Sequence, residues 1–392
     1  MQTIFLLRKG LAVGFIFLIL GTNIVPTKAQ NIGTSFNTSS RDHWLYVGGS
    51  GPENYTKIQD AVDNASDEDT VFVYDDASPY LETVSINTSI QLLGENENTT
   101  IVDAGATEYA VAVCFRTEYG RIEHFSLRNT GWGSCALTVF DAKNFVIAND
   151  SFLGNFSGAY VEDSNQVLVT DNTFLRNQEA LKVWSVSPAS SALILRNQFL
   201  GNIDGLIVYT DNTVVADNVI RGNTGFGISV RADNVSILSN VIDSTHNDGS
   251  ACGIFIDADI NHIQVQHNII SENDYGILCF AVQDRDSSIT LNTFSNNSHG
   301  FSTDLCARIN IERNNFVGRG TYASFGGSWW FQPNHWDGNY WADHHGTGAM
   351  AVPGKALVLV IPLGYFHGNW CIYFRWLNFD WHPAQQPYDV GG

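Results

Sequence analysis

From residue 146 onward the chain repeats one short alternation of apolar and polar positions. Asn-x-Phe/Ile followed by a polar turn occurs as DNTFLRN, RNQFLGN, DNVIRGN, SNVIDST, HNIISEN, LNTFSNN and RNNFVGR, with the variant NDSFLGN ahead of them. The register Asp150, Asn172, Asn197, Asn218, Asn240, Asn268, Asn292, Asn314 advances in steps of 22, 25, 21, 22, 28, 24 and 22 residues. Between these units lies a second pattern, Gly-apolar-x-apolar, as in GAYV, GLIV, GISV, GIFI and GILC. A third short alternating run follows, such as VLVTD or VSILSN. Each unit therefore holds three short strands and three turns, with a period of two inside each strand and no helical period. That combination predicts one coil of a parallel β-solenoid per unit. Stacked coils repeat at about the 4.8 Å inter-strand spacing, so equivalent positions form columns along the axis. The Asn column is expected to point inward, to bond from coil to coil and to carry the left-handed backbone of a tight turn. Phe152, Phe174, Phe199, Ile220, Ile242, Ile270, Phe294 and Phe316 form the core column beside it. The predicted fold is all-β, a right-handed parallel β-helix of about nine or ten coils.

An open solenoid must cover its ends. Thr56-Lys57-Ile58-Gln59 has capping-box spacing, and Ile58, Ala61, Val62 and Ala65 share one helical face, which predicts a short helix closing the first coil. DTVFVYD, ETVSIN, SIQLLG and TTIVDAG supply the opening strands. After Val317 the pattern gives way to an aromatic segment, Trp329-Trp330-Phe331, NHWDGNYWADHHGTG and NFDWHPAQQPYDV, read as an aromatic C-terminal cap. At the other end Arg8 and Lys9 precede an apolar run from Gly10 to Val25, and Thr27-Lys28-Ala29 offers a small-residue cleavage site. The organisation is thus a signal peptide over 1–29 (an uncleaved anchor being the alternative), a flexible segment over 30–43, the β-helix over 44–317 and the cap over 318–392.

Composition narrows the partners. Asp plus Glu outnumber Lys plus Arg 40 to 20, for a net charge of −20, and no basic stripe occurs. Nucleic acid and anionic membranes are therefore excluded as partners, apart from the leader itself. With 44% hydrophobic and only 15% charged residues, the acidity is a solvated surface over a large core. An exported chain of this kind is expected in the extracellular space or at the cell surface, facing a polysaccharide or an envelope glycan. Nine glycosylation sequons, at Asn37, Asn54, Asn64, Asn87, Asn98, Asn149, Asn155, Asn234 and Asn296, are compatible with that compartment. Six cysteines, Cys114, Cys135, Cys252, Cys279, Cys306 and Cys371, permit up to three disulfides there, with buried free thiols the equal alternative.

Strand geometry then locates the candidate chemistry. In Gly-apolar-x-apolar-x the x positions project outward. The first gives Tyr160, Lys182, Ile207, Ser229, Phe255, Leu278 and Ser302; the second gives Glu162, Trp184, Tyr209, Arg231, Asp257, Phe280 and Asp304. Aromatics beside carboxylates and cations suit stacking on sugar rings, so Glu162, Lys182, Trp184, Tyr209, Phe255 and Phe280 are candidate glycan ligands. The bland alternative is a face of cross-strand aromatic pairs. Asp257 and Asp304, two coils apart, fall near the upper end of the ~6.5–9.5 Å carboxyl separation of inverting glycosidases, and Arg231 is placed to act as base or charge clamp of a lyase. The rival site is terminal: His335, His344, His345, His367 and His382 lie near Asp337, Asp343 and Asp380. Of these, His335, His344, His345 and His382 are candidate ligands for zinc or copper(II). Met1 and Met350 are the only methionines, so no thioether site for copper(I) exists.

YTKIQDAVDNASDEDTVFVYDD, the Asn-x-Phe/Ile coils and above all WDGNYWADHHGTG resemble the secreted parallel β-helix repeat proteins, including the NosD-type accessory proteins, over roughly residues 44 to 345. The resemblance implies a pectate-lyase-like fold, carbohydrate binding or hydrolysis, and for NosD a part in copper-site maturation. In many relatives the Asn-Tyr-Trp motif runs into an acidic stretch that would suit calcium; here it meets His344 and His345. The paired aspartates of pectin methylesterases have no counterpart, nor do the polygalacturonase motifs; Ser298-His299-Gly300 is too short to count as one. Three expectations follow: a glycan-binding surface protein, a polysaccharide lyase or glycoside hydrolase, or a metal accessory protein holding calcium, copper or zinc.

Overall fold

The computed structural model describes residues 43–106, 111–257, 260–282, 286–329, 333–362 and 369–390. The leader over 1–29, nearly all of the 30–43 segment, Trp330, Phe331 and His367 lie outside the described residues, as does the Cys371 side chain.

Three parallel sheets of 13, 11 and 13 strands wind around one core, with strands from successive coils adjacent in each. A representative coil has Val167–Thr170 in the first sheet, Thr173–Leu175 in the second and Glu179–Trp184 in the third. The solenoid has about twelve turns, more than the nine or ten expected. The extra coils were hidden because Phe125 and Thr100 stand where Asp150 and the Asn residues stand later, so the polar mark of the repeat is missing although the pairing continues.

The Asn column stacks throughout. Each backbone N–H and each Nδ2 donates to the Oδ1 of the Asn one coil on: Asn172 to Asn197 at 3.0 Å for both bonds, Asn218 to Asn240 at 2.9 Å for both. The Nδ2 also reaches a strand carbonyl of the preceding coil, as Asn218 reaches Ile194 at 2.9 Å. These bonds satisfy backbone groups that the turn takes out of the sheets, where no water is present to do so. The left-handed residue is not the Asn but its predecessor: Asp171, Arg196, Asp217, Ser239, His267, Leu291 and Arg313 have φ between 54° and 59°. A second ladder, unread in the sequence, runs five residues later through Asn155, Asn177, Asn202 and Asn223, breaks at Thr245, whose buried hydroxyl has no partner, and resumes from the Thr245 N–H through Asn273 and Asn297. It claims Asn155, which is buried and donates to the Leu127 carbonyl, so this sequon is no surface acceptor.

Between the ladders the aromatic column packs in register. Phe152, Phe174 and Phe199 stack at centroid separations of 4.6 and 4.9 Å, and Phe294, Phe316 and Trp341 at 4.8 and 4.4 Å. Parallel pairing continues past Val317, where NHWDGNYW adds a coil that places Asn339 in the Asn column and Trp341 in the Phe column.

Helix α1 (Ile58–Asn64) covers the first coil and buries Ile58, Ala61 and Val62. Its expected capping box is not formed: the cap residue is Lys57, with no side-chain bond. Glu82 does the work from a distant segment, its two carboxylate oxygens accepting the Ile58 and Gln59 N–H groups at 2.9 and 3.1 Å. A carboxylate at a helix N-terminus also meets the positive end of the helix dipole.

At the far end, strand β1 (His299–Asp304) pairs with β2 (Thr321–Trp329), and β2 with β3 (Met350–Pro362), all parallel. The chain then returns as β4 (Asn369–Asp380), antiparallel to β3. This long hairpin extends the third sheet beyond the last coil. The close approach is made possible at Gly354, where a Cβ would lie 2.2 Å from the Phe325 carbonyl oxygen.

The described cysteines do not pair with one another. Cys114 lies opposite Thr138, Cys135 opposite Ser157, Cys252 opposite Tyr275 and Cys279 opposite Thr303, and these four and Cys306 are free thiols. Spacings of 27 residues from Cys252 to Cys279 and on to Cys306 are near one coil but put the thiols at non-equivalent positions.

Candidate functional site

The outward positions of the third sheet form the continuous columns expected. Tyr160, Lys182, Ile207, Ser229, Phe255, Leu278 and Ser302 are successive Cα partners, as are Glu162, Trp184 and Tyr209. Along the middle of this face the side chains satisfy one another. The Lys182 ammonium lies 5.5 Å from the Tyr160 ring centroid and 5.9 Å from that of Tyr209, a cation held between two π faces. Burial, reinforced by the Glu162 carboxylate, pushes the Tyr160 phenol up to about 12. Phe255 stacks on Phe226 at 5.0 Å. Arg231 approaches Asp257 at 3.8 Å. Asp257 and Asp304 stand two coils apart, with Phe280, the direct partner of Asp304, on the coil between them.

The terminal histidines are also held apart. His335 faces Glu312 at 3.6 Å, His382 Nδ1 faces Asp337 at 2.7 Å, and His344 Nε2 meets the Gly348 carbonyl at 2.8 Å. Asp380, which lies among them in the sequence, is buried inside the fold and accepts five N–H bonds. Among the described residues no three His, Cys, Asp or Glu side chains are grouped to hold a metal. Among the described residues these donors are spread over separate partners and no copper or zinc set is assembled.

What the structure does assemble is a cleft of about 920 Å³ at the C-terminal end of the same face. One wall is the solenoid, with Tyr275, His299, Ser302 and Asp304; the other is the β3–β4 hairpin, with Lys355, Arg375 and Trp376. Tyr275 and His299 stack at 4.7 Å with their planes 17° apart. Ser302 and Ser324 share a hydrogen bond of 3.1 Å across adjacent coils. Asp304 stays open because its partner on β2 is Gly326, where a Cβ would come within 2.9 Å of the Asp304 Oδ1. Lys355 and Arg375 are direct cross-strand partners on the hairpin and are both exposed.

Of the candidate catalytic, ligand and metal residues named in the sequence only Asp304 lines this cleft, beside Leu278 and Ser302 of the outward column. Tyr275 and His299 were passed over because they sit at the strand position before the Gly of Gly-apolar-x-apolar, outside the alternation used to list the outward face. Their signal is the aromatic immediately preceding that Gly in YGIL and HGFS.

Residues 66–213 match the family model for a right handed beta helix region, and residues 184–346 match that of the periplasmic copper-binding protein NosD. The chain is a parallel β-helix repeat protein. No curated protein matches it by sequence. Among solved structures, the A-module of the mannuronan C-5 epimerase AlgE6 of Azotobacter vinelandii superposes with a TM-score of 0.58 at 14% identity, over 72% of this chain and 87% of that one. PfbA, a surface adhesin of Streptococcus pneumoniae, gives 0.50 at 11% identity, over 84% and 95%. The Dettilon tailspike protein gives 0.50 at 12% identity, over 81% and 73%. These likenesses are likenesses of fold. Among the described residues no helix of this β-helix protein is long and apolar enough to cross a membrane.

Proposed function

We propose that this β-helix protein works outside the cytoplasm as a glycan-binding protein, and that its sugar site is the cleft between the third sheet and the β3–β4 hairpin. The observation that carries the reading is the make-up of that one concavity. It sets the stacked Tyr275 and His299 rings against hydroxyl and carboxylate groups from Ser302 and Asp304, with the hairpin as the facing wall. Flat apolar rings ringed by hydrogen-bonding groups match the two faces and the edge of a pyranose, and the volume lies within the range of small-ligand sites, roughly 300–1,000 Å³. The middle of the face, whose cations already hold partners, is a support for this site. The fold neighbours lend weight, since one is named for action on mannuronan and another as a surface adhesin.

Binding of an oligosaccharide panel by calorimetry tests the assignment. Tyr275→Ala should weaken binding about tenfold, on the order of 1.4 kcal/mol, while Trp184→Ala leaves it unchanged. The reverse pattern would move the site to the middle of the face and overturn the assignment.

A hydrolase or lyase is the second reading, favoured by the presence of three proton-exchanging side chains, Tyr275, His299 and Asp304, in one cleft. Incubation with the bound glycan should then release new reducing ends or unsaturated uronate, and His299→Gln should abolish that release while binding persists.

A further inference from the structure

We infer that two copies of this chain join end to end through strand β4, the open edge of one pairing antiparallel with the same edge of the other. Six strands end the three sheets among the described residues, and five of them are short. Trp44–Val47 and His335–Asp337 end the first sheet, Ile101–Asp103 and Tyr340–Trp341 the second, and Val84–Ile86 one side of the third, none longer than 4 residues. Strand β4, on the other side of the third sheet, has 12 residues and pairs with β3 alone. Every second residue of such a strand turns its N–H and C=O away from its neighbour, so β4 presents a row of unpaired backbone groups. Short length, lysine, proline and bulges blunt an edge of this kind in other proteins. Strand β4 contains no lysine or proline, and the register shift of the hairpin falls between Leu357 and Leu359 on β3. Its side chains are apolar on both faces. Asn378 and Asp380 are buried against the end of the solenoid, so alternation puts Phe374 and Trp376 on that face and Leu377 and Phe379 on the other. These four are 36–46% exposed, and Trp381 beyond them is 66% exposed. At the ~150–250 Å² such rings carry, the four aromatics leave roughly 270–450 Å² uncovered per copy. That is about a third to a half of the ~800 Å² per partner in a standard interface, before the paired backbones are counted. An occupant must bring an open strand of matching length, and among the described strands only β4 itself qualifies. Two identical antiparallel strands are related by a two-fold axis, the self-complementary contact of most dimers. Charge permits the contact at this end. The chain carries a net −20, yet from Met350 to Asp380 the charged residues are Lys355, Arg375 and Asp380, and Asp380 is engaged by five N–H bonds. Two acidic bodies can therefore meet here without opposing carboxylates.

Sedimentation equilibrium of the full chain over a wide range of concentration reads the association, and hydrogen exchange reads the surface. The wild type should reach twice the single-chain mass, and its β4 amides should exchange about tenfold more slowly in the dimer than in the dilute monomer. Phe374→Lys with Leu377→Lys sets a charge on each face of the edge strand and should weaken association about tenfold or more. Trp132→Lys, an exposed position on an early coil, should leave association unchanged. Circular dichroism and the melting temperature show whether the double variant is folded; if it is not, the exchange of the wild type decides alone. A single-chain mass at every concentration would overturn the inference. So would a dimer that the folded double variant retains, or one whose β4 amides exchange as fast as the monomer's, since either places the contact elsewhere. No sugar enters these measurements, so their outcome is independent of the cleft assignment.

Discussion

Asp150 is the odd member of the Asn column. Its side chain is fully buried, its Oδ1 accepts the Phe125 N–H at 2.8 Å, and its Oδ2 has no partner. Burial holds the carboxyl well above the usual carboxylate range, the Phe125 bond opposing only part of that shift. A folded-state value raised above the unfolded one contributes stability that is complete below about pH 4 and is lost as the pH rises through the folded value. Asp150→Asn should therefore stabilise the protein by about 1–3 kcal/mol at pH 7, with a new Nδ2–H donor where Oδ2 is orphaned. Urea unfolding at pH 7 and pH 4 should show that gain shrinking in acid. Within the column the opposite holds. Asn218→Ala removes the acceptor of two Asn197 bonds and the donor to the Ile194 and Ala216 carbonyls, and should cost about 3 kcal/mol or more. The thiols make a further prediction at this scale. Burial pushes Cys252 and Cys306 up to about 12 and Cys279 well above the usual thiol range. With almost no thiolate at pH 8, these three should resist alkylation in the native protein and react once it is unfolded, as read by mass spectrometry.

Elements show how far a sequence can be read. Columns of Asn and Phe were legible because a solenoid turns a spacing near 22 into direct contact, so periodicity alone brings Asn172 beside Asn197. The second ladder was equally visible as the last Asn of DNTFLRN, and was missed because it was taken for ordinary turn polarity. Glu82 was not legible: it lies 24 residues from the Ile58 amide it binds, and no local pattern announces a cap supplied from another turn. Glu82→Ala should destabilise the protein by about 1–2 kcal/mol, and Glu82→Gln, which keeps one acceptor, by less. Hydrogen exchange at the Ile58 and Gln59 amides would report the loss directly. The cleft was hidden for a related reason. The stretches around Lys355 and Arg375 look like an apolar tail, and only an antiparallel return after some twelve parallel turns sets them beside Asp304.

In the whole molecule the amide column has two ends, and both are aspartates. Asn339, the last amide, gives its N–H and Nδ2–H to Asp380 Oδ2 at 2.8 and 3.0 Å, and the same carboxylate collects Gly338, Trp341 and His382. Asp380→Ala would strand five donors at the end of the core and should lower the melting temperature more than any single ladder Asn, with Asp380→Asn milder; thermal unfolding followed by tryptophan fluorescence decides it. All the ladder amides point one way, each side-chain carbonyl toward the preceding coil and each N–H toward the following one. Their dipoles therefore add along the axis, as peptide dipoles do in an α-helix, and polarise one another in the dry interior. The solenoid acquires an electrical direction that its sheets, with their small net dipoles, do not supply. Its positive pole faces Asp380, where five donors converge on a carboxylate. Its negative pole faces Asp150, where burial already disfavours the charged carboxylate.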